Sequence, residues 1–342
     1  MAIEILEGLD ATAQPLDRFV KAWFRSRRFA GAKDRREIAE TVFAVQRARA
    51  RLAHRMGSAA PRALVIGLAA QQGADMDALF SGGYGPAPLN GEERAALAAP
   101  VSDLADWVRG EYPQWLDGEL KRAFGPRLMD EMGALQTRAP VDLRVNTLKA
   151  TRPDVLAGLK DQGFAAQPTP WSPVGVRIAA GAGSAALARS QMFAAGAFEV
   201  RDEAARPGMR VLDMAAGAGG KALAMAAAMR NQGTIVAFDD KPERLAPLAQ
   251  RAARAGAGII AIADRRGGPA WGGREAGGFD VAFVDAPCSG TGTWRRQPEL
   301  RWRLTPQRLA VLTRIQDGLL DEAVRHAAPD GLIVYATCSV LP

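Results

Sequence analysis

Apolar positions in the first ninety or so residues recur at helical spacing. Ile38, Val42, Val45 and Leu52 fall on one stripe, and Leu64, Leu68 and nearby alanines continue it, so residues 1–95 predict an all-helical domain. The Gly- and Pro-rich segment SGGYGPAPLNGEE (81–93) reads as a loop at its boundary. A further helical stretch from about residue 103 carries Trp107, Trp115 and Leu120. Around residue 141 the rhythm changes. VDLRVN reads as a short strand, TRPDVLAGLKDQG as a helix stopped by Gly163, and VGVRIAA as a second strand. This places a small α+β module, of a kind that often binds RNA, within a middle segment, 96–200.

From residue 209 strands and helices alternate regularly. MRVLDMA, TIVAFDD, GIIAIAD, FDVAFVDAP and GLIVYATC read as strands; GGKALAMAAAMR, PERLAPLAQRAARAG and a long helix opened by Thr305 and Pro306 lie among them. Such alternation predicts an α/β, mostly parallel, doubly wound sheet, here a Rossmann-like domain over 201–342. Ligands of these sheets bind beyond the carboxyl ends of the strands.

Two groups of residues fall at such ends. The first is Asp213-Met-Ala215-Ala-Gly217-Ala-Gly219-Gly220-Lys221, which joins the first strand to its helix. Glycines there let a ligand approach the backbone, and the helix that follows offers N–H groups. The spacing is not G-x-G-x-x-G, which weakens a dinucleotide reading. Asp239 ends the next strand, where a carboxylate can take both ribose hydroxyls, and Asp264 ends the third, facing an adenine amino group. A glycine turn followed by acidic strand ends suits an adenosine ligand without phosphates, and S-adenosylmethionine (SAM) is one.

The second group holds both cysteines. Asp285-Ala-Pro-Cys288-Ser-Gly-Thr-Gly ends the fourth strand and Ala-Thr-Cys338-Ser the fifth. In the common strand order these strands are neighbours. A thiolate added to C6 of a cytosine makes C5 nucleophilic enough to accept a methyl group. A basic surrounding from Arg295, Arg296 and Lys221 would favour the thiolate, and Asp285 is placed to hydrogen-bond N3 of the base. From chemistry alone the two thiols are interchangeable as nucleophile.

Composition adjusts this picture only slightly. The chain has 342 residues, 48% hydrophobic and 24% charged, an ordinary globular balance. Forty-four Lys+Arg against 37 Asp+Glu give a net charge of +7, which suits a polyanionic partner such as RNA. The stretch Arg25–Arg36 adds to that, or is a solvated helix face. Two cysteines exclude a disulfide scaffold, and His54 and His326 make no metal-ligand spacing with them, so no metal is expected. The acidic start MAIEILEGLD is unlike a secretory signal and no apolar run spans a bilayer, so a cytoplasmic protein, monomeric by default and without membrane contact, is expected.

At this point the chain resembles the Sun-type (Nol/Nop/Sun) RNA cytosine-5 methyltransferases, above all their bacterial 16S ribosomal RNA members. YPQWL, LRVNTLK, AFEVRDEAA, DMAAGAGGK, DAPCSGTGTWRRQPELRWRL and YATCSVLP look like that family's motifs in their proper order. The resemblance implies Cys338 as nucleophile, Cys288 assisting product release and Asp285 contacting the base. It further implies a SAM site lined by Gly217, Lys221, Asp239, Asp264 and Asp285, with Asp213, Ala215, Gly219, Gly220 and Arg244 completing it. Arg295, Arg296 and Lys221 would meet the RNA, and residues 1–95 would be a NusB-like extension. Departures are Ala218 for Pro, Ala222 for Thr, Arg201 for Gln, and only Ala205, Arg206 and Pro207 before Gly208 where the family has more. The fifth strand is also expected as an exposed edge. Two other readings fit parts of the pattern: a catalytically silent RNA-binding relative or fragment, and an NAD-dependent oxidoreductase. An amino-group methyltransferase would need an Asn/Asp-Pro-Pro-aromatic turn where Asp285-Ala-Pro-Cys288 stands.

Overall fold

The computed structural model describes residues 1–27, 29–83, 85–100, 103–178, 187–199, 206–263, 271 and 278–342. Within these the chain forms two compact units. One comprises Met1–Arg138, Ser289–Leu309 and Cys338–Pro342, the other Ala139–Cys288 and Ala310–Thr337.

The first unit is helical. It opens with α1 (Ala2–Asp10), α2 (Leu16–Arg25), α3 (Ala32–Arg47), α4 (Arg49–Met56), α5 (Pro61–Gln71), α6 (Met76–Leu79) and α7 (Gly91–Ala98). The stripe read from the sequence is the core: Val42, Val45, Leu52, Leu64 and Leu68 are buried with Ile5, Leu6, Leu9 and Leu16, and Ile38 packs against them. α5 begins with proline, whose absent N–H costs nothing at a helix start, and buries every residue from Ala63 to Ala69. Residues 91–93, expected as loop, are instead the first turn of α7. Asn90 Oδ1 accepts from Glu93 N at 2.8 Å while Glu93 Oε2 accepts from Asn90 N at 3.0 Å, a reciprocal cap that starts a helix inside polar sequence. Arg62 ties α5 to α7 through Glu93 at 2.7 Å and holds that carboxyl below its usual range. Three further helices, α8 (Asp106–Arg109), α9 (Asp117–Phe124) and α10 (Leu128–Gln136), enclose a second core with Tyr112, Leu116, Leu120, Met132, Trp294 and Leu304.

The second unit carries two sheets. A four-stranded antiparallel sheet has the order β2-β3-β1-β4, with β1 Val141–Val145, β2 Ala166–Pro168, β3 Gly175–Ile178 and β4 Phe198–Glu199. Its helix α11 (Arg152–Asp161) starts at Thr151, whose side chain caps Asp154 N, and stops before Gly163 at φ +79°. A short α12 (Gln191–Ala194) precedes β4. β2 and β4 escape the sequence pattern because three and two residues are too few to show alternation.

The other sheet is parallel, with order β7-β6-β5-β8-β9: β5 Arg210–Asp213, β6 Thr234–Ala237, β7 Ile260–Ile262, β8 Phe279–Asp285 and β9 Ala327–Ala336. This is the doubly wound sheet expected, with α13 (Gly220–Ala228) after β5. The PERLAPLAQRAARAG stretch, expected as one helix, is two: α14 (Pro242–Leu245) and α15 (Leu248–Ala255). Pro247 breaks it, since a proline ring has no N–H to donate and clashes with the preceding turn. α16 (Leu300–Arg303) is a single turn, and α17 (Pro306–His326) starts where Thr305 Oγ1 accepts from Arg308 N at 3.1 Å. β9 is longer than GLIVYATC and ends short of the cysteine; its pairing with β8 shifts register between Phe279 and Val281. Among the described residues β9 is an edge strand, with Leu332, Ile333 and Tyr335 60%, 38% and 41% exposed. Arg201 and Ala205 fall outside the described residues, as does Asp264. No helix among the described residues is long and apolar enough to cross a membrane.

Asn146 joins the antiparallel sheet to α15. It is 6% exposed, and its Nδ2 donates to Gly196 O and Ala255 O, both at 2.8 Å. Asn146→Ala leaves both carbonyls without this donor. Removing it is expected to cost about 2–3 kcal/mol, read as a lower urea midpoint with an unchanged denaturant slope.

Candidate active site

β5 delivers Asp213 to the carboxyl edge of the parallel sheet, and the chain then turns through Ala215, Gly217 and Gly219 into α13 at Gly220. Gly217 and Gly219 have φ +50° and +80°, in the left-handed region that favours glycine. A Cβ on Gly219 would lie 2.0 Å from Leu248 Cδ1, so any larger residue would also have to displace that side chain. Asp239, 5% exposed, braces this turn: its Oδ2 accepts from Gly217 N at 3.1 Å and its Oδ1 from Lys241 N at 2.9 Å. Arg244 Nη1 stands 3.8 Å from the same carboxylate. Gly220 O accepts from Arg144 Nη2 at 3.0 Å. The sequence reading missed Arg144, whose one signal is a charge inside an otherwise apolar strand end.

Negative charge accumulates at the turn. Asp213 is fully buried, and no hydrogen bond of normal geometry reaches either of its oxygens. Burial raises its carboxyl to about 7, the Asp285 charge adds to that, and Lys221 and the Ala215 N–H pull the other way. Lys221 Nζ is 3.0 Å from Asp285 Oδ2 and sits in a neighbourhood of three carboxylates, Asp213, Asp239 and Asp285, of which Asp239 also has Arg244 at 3.8 Å. A cationic ligand with an adenosine part fits this donor set: a buried carboxylate without a hydrogen bond of normal geometry, glycine backbone open to close approach, and Asp239 at the next strand end.

The cysteine loops leave the same sheet edge. β8 and β9 pair through Asp285 and Ala336, and Ala286 N donates to Ala336 O at 2.9 Å. Cys288 follows three residues after Asp285 and is half-buried; Cys338 follows two after Ala336 and is exposed; neither forms a disulfide. Both cysteines thus sit past their strands. Gln316 Nε2 of α17 holds the first loop by donating to Pro287 O at 2.9 Å. The Tyr335 hydroxyl is raised by burial and then by the nearby charges of Cys288 and Asp317.

In the helical unit, the segment after Cys288 and the segment from Cys338 interlock. Gly292 N donates to Cys338 O at 2.9 Å and Val340 N to Thr291 Oγ1 at 2.8 Å. Ser289 Oγ donates to Ser339 Oγ at 2.8 Å. These hydroxyls were not singled out from sequence; the available signal is that each cysteine is followed by serine. Arg295 is half-buried and Arg296 exposed in this segment, whereas Lys221 is occupied by Asp285 in the other unit.

Residues 203–342 match the family described as 16S rRNA methyltransferase RsmB/F, and residues 112–183 match the RsmF/B-like ferredoxin-like domain. The chain is 33% identical to ribosomal RNA small subunit methyltransferase B of Klebsiella pneumoniae (strain 342), over 68% of this chain and 54% of that protein. It is 32% identical to ribosomal RNA small subunit methyltransferase F of Serratia proteamaculans (strain 568), over 65% of this chain and 49% of that one. The chain therefore spans about half the length of these curated relatives. Among solved structures, a methyltransferase homolog from Pyrococcus horikoshii superposes with a TM-score of 0.59 at 27% identity, over 70% of this chain and 79% of that chain. The crystal structure of PH0851 shares the fold, with a TM-score of 0.75 at 22% identity over 99% of this chain and 85% of the other. With its glycine turn, its Asp-Ala-Pro-Cys and Thr-Cys-Ser strand ends and both matched segments in order, the chain carries, over residues 112–183 and 203–342, the ferredoxin-like and methyltransferase segments of the Sun-type RsmB/F family of 16S rRNA methyltransferases.

Proposed function

We propose that the protein transfers a methyl group from S-adenosylmethionine to C5 of a cytosine in ribosomal RNA, through a covalent bond between Cys338 and C6. The supporting observation is the pairing of β8 with β9 up to Asp285 and Ala336, which sends both cysteine loops from one edge of one sheet, next to the glycine turn. Asp213, Ala215, Gly217, Gly219, Gly220, Lys221, Asp239, Arg244 and Asp264 would hold the cofactor. When bound, it supplies an electrophilic methyl group on a sulfonium.

The chain's own residues supply the rest. The Cys338 thiolate adds to C6 of the base, and the electron pair displaced from the C5–C6 double bond makes C5 nucleophilic. Asp285, when it carries a proton, donates a hydrogen bond to N3 of the base and favours that addition. Once C5 carries the methyl group, Cys288 assists removal of the C5 proton. The C5–C6 double bond then re-forms, and the Cys338–C6 bond breaks with its electron pair returning to sulfur. Arg295 and Arg296 lie on the segment that follows Cys288 and meet RNA phosphates.

Incubation with protein-free 16S rRNA transcript and SAM tritiated on its methyl group tests the reading, and absence of tritium in the RNA would favour a silent RNA-binding relative. The roles of the thiols have a signed readout: Cys288→Ala accumulates a protein–RNA adduct that survives a denaturing gel, and Cys338→Ala forms none. The reverse pattern exchanges the two roles.

Asp213 sets a pH dependence. Its carboxyl, raised to about 7, holds a proton below that pH, and a bound cation favours the ionised form. SAM affinity measured by calorimetry should therefore rise with pH, by up to about tenfold per unit below pH 7, and level off above it. Asp213→Asn flattens the profile, whereas an equally steep profile in that variant would show another group to be responsible.

A further inference from the structure

The segment from Glu299 to Arg303 is short, yet each of its polar side chains ends on a backbone group of the helical unit. Glu299 Oε1 accepts from Leu16 N at 2.9 Å, at the start of α2. Arg303 donates to Gln14 O at 2.8 Å and Leu9 O at 3.1 Å, closing the end of α1. Trp302 Nε1 donates to Gln46 O at 3.1 Å, near the end of α3. Arg301 is 1% exposed; it donates to Glu111 O at 2.9 Å, Leu135 O at 3.4 Å and Trp294 O at 3.5 Å. A guanidinium out of water is costly unless its donors are used, and burial lowers this one's pKa to about 10.

The chain on the far side of Arg301 is itself held under strain. Glu111 has φ +57°, a left-handed conformation that an L side chain seldom takes, and it is fully buried. Its carboxylate accepts from Ala50 N at 2.8 Å and Arg51 N at 3.0 Å, donors in the first turn of α4 that have no partner within the helix. Glu111 thus fixes α4 with its side chain and Arg301 with its carbonyl.

On the near side, Arg301 reaches the cysteine loop. Its guanidinium lies 5.2 Å from the Trp294 ring centre and bonds that residue's carbonyl. Trp294 is fully buried in a core that includes Tyr112, Leu116 and Leu304, with Val340 and Leu341 packed against it. Three residues before Trp294, Thr291 accepts from Val340 N, and Gly292 approaches so closely that a Cβ there would be 2.8 Å from Cys338 O. Backbone, hydroxyl and core contacts therefore run without a gap from Glu111 to the residues around Cys338.

We propose that Arg301 is a positioning residue for the Cys338 loop, acting through Trp294 and the Thr291–Gly292 turn and seated on Glu111 of the helical unit. The proposal rests on the reading of Cys338 as nucleophile for its consequence in catalysis, though the physical coupling is measurable without it. In this arrangement the helical unit is the seat that fixes the nucleophile's backbone. The Arg301 donors are divided among three carbonyls, a geometry the single ammonium of lysine reproduces only in part.

The test compares amide hydrogen exchange and steady-state kinetics in the full chain, for wild type, Arg301→Gln and Arg301→Lys. Peptides covering 289–294 and 338–342 are expected to exchange at least about tenfold faster in Arg301→Gln and less so in Arg301→Lys, while β5 and β8 keep wild-type rates. On 16S rRNA transcript, kcat falls at least about tenfold in Arg301→Gln with KM for SAM within about twofold, a split that general destabilisation would not give. Wild-type exchange at 338–342 in Arg301→Gln overturns the proposal, as does a KM for SAM that rises in step with the loss of kcat. Should Arg301→Gln not fold, Arg301→Lys takes its place; faster exchange at 338–342 supports the coupling and unchanged exchange overturns it. A wild-type protein that methylates nothing would remove the functional reading and leave the exchange result to decide this inference.

Discussion

Asp285 and Ala336 are the last paired residues of β8 and β9, and that register governs the chemistry available to the chain. β8 is held by an apolar run in which Val281, Ala282, Phe283 and Val284 are all buried, flanked by β5 on one side and β9 on the other. Side chains alternate across a sheet, so a slip of one residue would turn this run inside out and move each strand end by about 3.3 Å. Burial of the run thus locks the starting points of both cysteine loops. The positions of the thiols are inherited from hydrophobic packing several residues away.

The glycine turn shows the opposite economy. Asp213 lies at the end of a buried strand with no hydrogen bond of normal geometry and only the Ala215 N–H near it, in the field of Asp285 and Asp239, with Lys221 the countering charge. A fold selected for stability alone would place an apolar side chain there. Such frustration is tolerated where a ligand's charge relieves it. Arg144 extends this neighbourhood: it reaches from the antiparallel sheet to Gly220 O, so the residue that opens α13 is held by a different sheet from the one that delivers it.

The elements with many repeats of their pattern were legible in the sequence. The helical stripe through Val42, Val45 and Leu52, the alternating strands and helices after residue 209, and the strand-end motifs all appear where periodicity or residue type announces them. Three things did not. β2 and β4 are shorter than the period that would reveal them. The start of α7 is made by the Asn90–Glu93 cap in a stretch whose composition reads as loop, because capping depends on two side chains and not on hydrophobicity. Around the site, Arg144, the Ser289–Ser339 pair and the Glu111–Arg301 contact link residues far apart in the chain, with sequence separations of 76, 50 and 190. Nothing local encodes such pairs, since each member also reads as an ordinary surface or turn residue.

The outer side of β9 has a consequence for handling the protein. Among the described residues its backbone donors and acceptors on the side away from β8 have no neighbouring strand, and Leu332, Ile333 and Tyr335 stand partly in water beside them. Such a rim is a template for another extended chain. In concentrated preparations lateral self-association will therefore compete with solubility. Because the net charge of +7 is the long-range force opposing it, added salt should shift that balance toward aggregates even as the fold itself persists.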